Sequence, residues 1–135
     1  MISADPGVHG SGIAVWSNNT LVDVDYSKPT GYYSDDLVIE CPQIYPGIRS
    51  KGNPNNLIAV AFEAGRISGL VRGTVRVVKP KEWKGSIKKE VMLKRILGRL
   101  TEPELALIKA INLPKSTEHN VVDAIGIGLF ALGRL

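Results

Sequence analysis

Met1-Ile2-Ser3-Ala4-Asp5-Pro6-Gly7-Val8-His9-Gly10-Ser11-Gly12-Ile13-Ala14-Val15-Trp16 is the stretch whose reading decides the architecture. Ile2 to Ala4 reads as a short apolar strand, Asp5-Pro6-Gly7 is turn chemistry, and Gly12 to Trp16 returns as a second strand. Asn18-Asn19 then turns the chain into Leu21, Val22 and Val24, interleaved with Asp23 and Asp25, which predicts a third, half-exposed strand. Three short strands joined by tight turns make an antiparallel meander.

Beyond the meander, Lys28 to Asp36 is polar and rich in turn formers. Leu37-Val38-Ile39 is a continuous apolar run that ends at Glu40, as expected of a fourth strand buried inside a sheet. From Cys41 to Asn56 the chain holds Pro42, Pro46, Gly47, Gly52 and Pro54, so it reads as a loop, and it carries Arg49 and Lys51. Asn53 can cap a helix and Pro54 suits its first turn. Leu57, Ile58, Val60, Ala61, Ala64, Ile67, Ser68 and Val71 then recur at helical spacing through Arg72, and Gly73 ends the run. Val75 to Val78 is a fifth strand closed by Pro80. Ser86 to Leu100 is helical, with Val91, Leu93, Ile96, Leu97 and Leu100 as its apolar positions, and Glu102 to Ile111 is a second short helix. Ser116 or Thr117 caps a last helix that runs to the C-terminus, where Gly126 and Gly128 permit close packing. The order predicts an α/β fold: a five-stranded mixed sheet flanked by helices around one core.

Composition narrows the class. With 135 residues and 44% apolar content, the chain has the size and core of one domain over 1–135. No apolar run reaches the ~18 residues of a spanning helix, and Met1 to Gly7 has no signal-peptide pattern, so the expected location is the cytoplasm. The single Cys41 excludes an internal disulfide and a cysteine-rich zinc module. A formal charge of +4 is concentrated in one place. Residues 79 to 99 carry eight basic side chains (Lys79, Lys81, Lys84, Lys88, Lys89, Lys94, Arg95, Arg99) against Glu82 and Glu90, and the remainder of the chain is slightly acidic. A polyanionic partner is the expectation.

Three acids sit where chemistry is possible. Asp5 ends the first strand before a glycine-rich turn, although Asp-Pro-Gly is also an ordinary turn starter. Glu40 ends an apolar strand, where an unpaired carboxylate is costly to bury. Parallel pairing of that strand with the first brings Glu40 within reach of Asp5. Asp123 interrupts the apolar helix Val121-Val122-Asp123-Ala124-Ile125, with Asn120 and His119 one turn earlier on the same side and Glu118 nearby. Carboxylate oxygens suit Mg²⁺ or Mn²⁺ and not zinc. Two such cations about 4 Å apart activate a water and stabilise a leaving oxygen in phosphodiester hydrolysis. Arg49, Lys51 and the 79–99 cluster provide the positive surround that a polyanion needs beside such acids.

Taken in order, Asp5-Pro6-Gly7, Gly12-Ile13-Ala14-Val15, Val38-Ile39-Glu40, Pro80-Lys81-Glu82-Trp83-Lys84-Gly85 and His119-Asn120-Val121-Val122-Asp123-Ala124 resemble the RuvC-type Holliday junction resolvases of the RNase H-like superfamily. The small phage versions are the most similar. The resemblance implies a sheet of three antiparallel then two parallel strands. It also implies a homodimeric endonuclease that cuts four-way DNA junctions by symmetric nicks, with two Mg²⁺ per site for which Mn²⁺ substitutes. Carried over, the site is Asp5, Glu40, Asp123 and a residue one turn before Asp123. There the sequence departs from the pattern: Asn120 stands three before and His119 four before, which makes His119 the expected ligand, with Asn120 and Glu118 behind it. Arg49, Lys51, Lys79, Lys81, Lys84, Lys88 and Lys89 are the expected DNA contacts. The helix from Pro54 is the expected dimer element, because Ala61, Ala64, Gly65, Ser68 and Gly69 allow close approach while Leu57, Ile58 and Leu70 bury apolar surface. Other classes stay open: an RNase H or flap nuclease, a fragment of an actin-like ATPase, and a non-catalytic DNA-binding module, for which Asn120 argues.

Overall fold

A computed structural model describes residues 1–33, 35–44 and 53–135. Five strands form one sheet in the order β3-β2-β1-β4-β5. β1 (Ile2–Asp5), β2 (Ser11–Ser17) and β3 (Thr20–Ser27) are the antiparallel meander. Asn18 and Asn19 turn β2 into β3 with φ of 47° and 64°, the left-handed pair that matches the twist of a two-residue hairpin. β4 (Leu37–Glu40) pairs parallel to β1, and β5 (Val75–Val78) pairs parallel to β4. Five helices complete the chain: α1 (Pro54–Ser68), α2 (Pro80–Trp83), α3 (Lys89–Leu97), α4 (Glu102–Ile111) and α5 (Lys115–Ala131).

The predicted single core is two layers, because alternation along the strands sends successive side chains to opposite faces. Ile2, Ala4, Ile13, Leu37 and Ile39 point to one face and meet Ala64 and Ile67 of α1. Ala14, Trp16, Val24, Val38 and Val78 point to the other and meet α3, α4 and α5. The same period of two assigns Asp5 to the face of buried Ser3, and Glu40 to the face of Val38.

Glycines bring α5 unusually near the sheet. A methyl group on Gly12 would lie 2.0 Å from the Asn120 carbonyl oxygen, and one on Gly128 would lie 2.3 Å from the Trp16 indole nitrogen. Only a residue without a Cβ fits at either point. The buried Ser3 hydroxyl fixes the helix at that depth, donating to the Ala124 carbonyl at 2.7 Å and accepting from Trp16 Nε1 at 2.8 Å.

Several boundaries differ from the sequence expectation. α1 stops at Ser68 with Gly69 as its cap, not at Arg72, because Val71 leaves the helix to bridge Tyr33. Pro80 does not merely close β5; it opens the one-turn helix α2. α3 begins at Lys89, and its buried side is Met92 and Ile96, whereas Val91 and Leu93 are exposed. α5 begins at Lys115 after Pro114, ahead of the expected Ser116 or Thr117 cap. No helix among the described residues is long and apolar enough to cross a membrane.

Candidate active site

Register places the first two acids together. Ala4 lies beside Ile39 in the parallel β1–β4 pair, so the next residues, Asp5 and Glu40, emerge side by side at the C-terminal edge of the sheet. Asp123 approaches on α5 from the face that both carboxylates share. Burial, with the negative charges of Asp123 and Glu40, pushes the Asp5 carboxyl well above the usual carboxylate range, while Lys84 and Lys89 pull it back. The three acids are therefore one electrostatic unit.

Lys84 stands inside this unit. Its ammonium lies 3.4 Å from Glu40 Oε2 and 3.7 Å from Asp123 Oδ2, and it sits 4.7 Å from the centre of the Trp83 ring. Trp83, buried at the end of α2, donates its indole N–H to Glu40 Oε2 at 2.5 Å. Sequence reading placed Lys84 among the phosphate contacts and passed over Trp83. The usable signal was a large aromatic within an otherwise basic segment, followed at once by a lysine.

The expected fourth-position residues separate. His119 lies one turn before Asp123 and shares with it the wall of a groove. Asn120, three residues before Asp123, does not line the groove; its backbone lies against Gly12 and its side-chain amide faces Gly7, on the turn that follows Asp5. Glu118 also lines the groove. This groove encloses about 1090 Å³ between α5 and the segment from Pro80 to Leu93. Lys81, Lys84, Lys89 and Lys115 surround it, and Ile87, Met92, Leu93 and Val122 supply apolar surface. Lys79 and Lys88 are exposed on its flank. Arg49 and Lys51 lie outside the described residues.

As a donor set, three carboxylates suit a hard divalent cation. As a geometry they do not yet form its cage, since no group of three or more His, Cys, Asp or Glu among the described residues is disposed to hold a metal ion. One Glu40 oxygen instead accepts from Trp83 and pairs with Lys84, which also pairs with Asp123.

No protein-family profile matches the chain. No curated protein matches it. Among solved structures, Thermus thermophilus RuvC in complex with a Holliday junction substrate superposes with a TM-score of 0.51 at 16% identity, covering 96% of this chain and 91% of that one. A second Thermus thermophilus RuvC structure gives 0.47 at 17% identity, covering 96% and 92%. The first likeness shows a shared fold, which in this chain is a five-stranded mixed sheet flanked by helices.

Proposed function

We propose that the chain is a divalent-cation-dependent endonuclease of branched DNA, which resolves four-way junctions by paired cuts as a homodimer. The observation that carries this reading is the meeting of Asp5, Glu40 and Asp123 from three separate elements beside a lysine-rimmed groove. The fold shared with a junction-bound RuvC supports it.

In this reading Asp5, Glu40 and Asp123 hold Mg²⁺ or Mn²⁺ once Lys84 turns away. A cation held there would supply Lewis-acid stabilisation of the phosphate and activation of the attacking water. Lys84, released from Glu40 and Asp123, swings toward a non-bridging phosphate oxygen, which keeps its charge neutralised throughout. His119, on the groove wall one turn from Asp123, donates a proton to the departing oxygen. Trp83 keeps Glu40 in one rotamer. Lys79, Lys81, Lys88 and Lys89, with Arg49 and Lys51, guide the phosphodiester backbone.

Two symmetric cuts need two sites, and one acid cluster per chain supplies one. The exposed face of α1 suits the pairing: Ile58 is 68% and Phe62 74% exposed, and an atom added at Gly65 meets open space.

A second reading is a DNA-binding module without catalysis. It is favoured by the ion pairs of Lys84, which now engage the oxygens that a metal would need. Labelled four-way junction, duplex, flap and RNA–DNA hybrid, incubated with and without Mg²⁺ or Mn²⁺, separate the two. The nuclease reading expects symmetric nicks in the junction only when the cation is present. Junction binding with no cleavage under either cation overturns it in favour of the second.

A further inference from the structure

The two edges of the sheet are finished differently. β3 forms one edge, and two of its amides are engaged by carboxylates: Leu21 N–H donates to Glu104 Oε1 at 2.8 Å and Val24 N–H to Asp23 Oδ1 at 2.9 Å. Its register with β2 also slips between Val15 and Trp16. Such devices keep other chains off an edge. β5 forms the other edge, and its register with β4 is unbroken. Leu37 N–H and Cys41 N–H donate to the Thr74 and Val78 carbonyls, so β4 uses the even-numbered residues of β5. Alternation along the strand then turns the N–H and C=O of Val75 and Val77 away from β4. On either side of this pair the amides are taken, Thr74 N–H by Asp36 Oδ1 at 2.7 Å and Lys79 N–H by Glu82 Oε2 at 2.5 Å. Among the described residues no side chain caps Val75 or Val77, and their side chains are 40% and 56% exposed.

Charge selects the occupant. Residues 71–79 hold Arg72, Arg76 and Lys79 and no acid. Two copies of β5 laid edge to edge would set these cations against one another, whereas an acidic strand would neutralise them. Arg76 is turned to the face opposite Val75 and Val77, where its guanidinium lies 5.5 Å from the centre of the Phe130 ring. We propose that the open edge of β5 binds an extended acidic segment of another protein, which adds a sixth strand to the sheet. Residues directly opposite in paired strands share a face, so the segment reads apolar–acid–apolar, with apolar side chains beside Val75 and Val77 and the acid beside Arg76. Backbone bonds supply the affinity and the alternating side chains the specificity. The proposal goes beyond the nuclease reading and does not depend on it, since none of these residues lines the groove or belongs to the acid cluster.

The test titrates the full chain into a fluorescein-labelled peptide, Ser-Glu-Val-Glu-Val-Glu-Ser, followed by anisotropy, with Ser-Lys-Val-Lys-Val-Lys-Ser as the comparison. Binding of the acidic peptide alone is expected, together with slowed hydrogen exchange at the Val75 and Val77 amides. Val77→Pro removes an outward N–H that β4 does not use, a change an edge strand tolerates, and is expected to abolish binding with the circular dichroism of the parent. Arg76→Glu leaves the backbone intact. It is expected to weaken the acidic peptide about fivefold, the order of exchanging a cross-strand attraction for a repulsion, and to gain binding of the lysine peptide. No binding of the acidic peptide at millimolar concentration overturns the proposal, as does equal binding of both peptides by the parent or unchanged binding by Arg76→Glu. Concentration-dependent slowing of the Val75 and Val77 amides in the parent alone would make the occupant a second copy and also overturn it. None of these outcomes bears on DNA cleavage, so the nuclease reading stands or falls separately.

Discussion

At the scale of single residues, the decisive arrangement is an ammonium set among three carboxylates. Like charges gathered in a partly dry site repel, and Lys84 offsets that repulsion by facing Glu40 and Asp123 together. Burial and the charges of Asp123 and Glu40 raise the Asp5 carboxyl well above the usual carboxylate range, against the pull of Lys84 and Lys89. In the proposed nuclease such a site would give up stability for chemistry. Replacing Asp5 by Asn removes one of the repelling charges while keeping the shape. We therefore expect Asp5→Asn to melt higher than the parent in metal-free buffer near neutral pH, by about 1 kcal/mol or roughly 3 °C, while junction cleavage falls to background and junction binding persists. Melting curves and a cleavage assay on the same preparation check both halves. A variant that is less stable, or that still cuts at the parental rate, contradicts the role given to Asp5.

At the scale of elements, the proposed function gives the two faces of the molecule different tasks. α1 buries only Glu63, Ala64 and Ile67 against the sheet, leaving Ile58 and Phe62 in water. Two isologous copies would cover them. Phe62→Glu and, separately, Gly65→Glu should each produce monomers by sedimentation at micromolar concentration. Neither should unfold the chain, since Phe62 is exposed and Gly65 faces open space. A parent already monomeric with junction bound would remove the dimer. On the opposite side, α2 and the start of α3 carry the lysines. Junction affinity should fall with salt at a log–log slope of about −0.9 per phosphate neutralised, and joint charge reversal of Lys79, Lys88 and Lys89 should flatten it. An unchanged slope would move the DNA path toward Arg49 and Lys51. The strands that build this arrangement were legible in sequence, because a period of two with Asp5 and Glu40 at strand ends already specifies which face and edge they occupy. α2 was not, since four residues are too few to show a helical period. α1 was read too long because Leu70 and Val71 continue its spacing, and only the distant partner Tyr33 explains why Val71 departs. Lys84 could be seen as a basic residue, but its place between Glu40 and Asp123 depends on β4 and α5 meeting, which no local pattern contains.

At the scale of the whole molecule, a buried ion pair closes the chain on itself. Glu104 is 1% exposed and accepts from both terminal nitrogens of Arg134 at 2.9 Å, from Leu21 N at 2.8 Å and from Thr101 N at 2.8 Å. Arg134 also donates to the Asn19 and Arg99 carbonyls, so α4, the β2–β3 hairpin and the C-terminal residues share one anchor. These bonds, with that from Arg134 the largest, lower the Glu104 carboxyl from 4.5 to about 2. Because the folded value is the depressed one, the pair stabilises fully above the unfolded value and is lost as pH falls from 4.5 toward about 2. That contribution is about 3 kcal/mol by linkage. Melting temperature followed across this range should drop steeply in the parent, and Glu104→Gln should start lower and follow a shallower acid limb. Equal acid limbs would show the anchor to be inert. Finally, the chain has two tryptophans, Trp16 and Trp83, and the second has its indole N–H on Glu40 and an ammonium over its ring. Any ion that displaces Lys84 must therefore alter the light this indole emits, so the protein carries an optical gauge of its own site. Titrating Mg²⁺ should change the intensity and wavelength of tryptophan emission in the parent and leave it constant in Trp83→Phe, which makes occupancy readable without DNA and before any bond is cut.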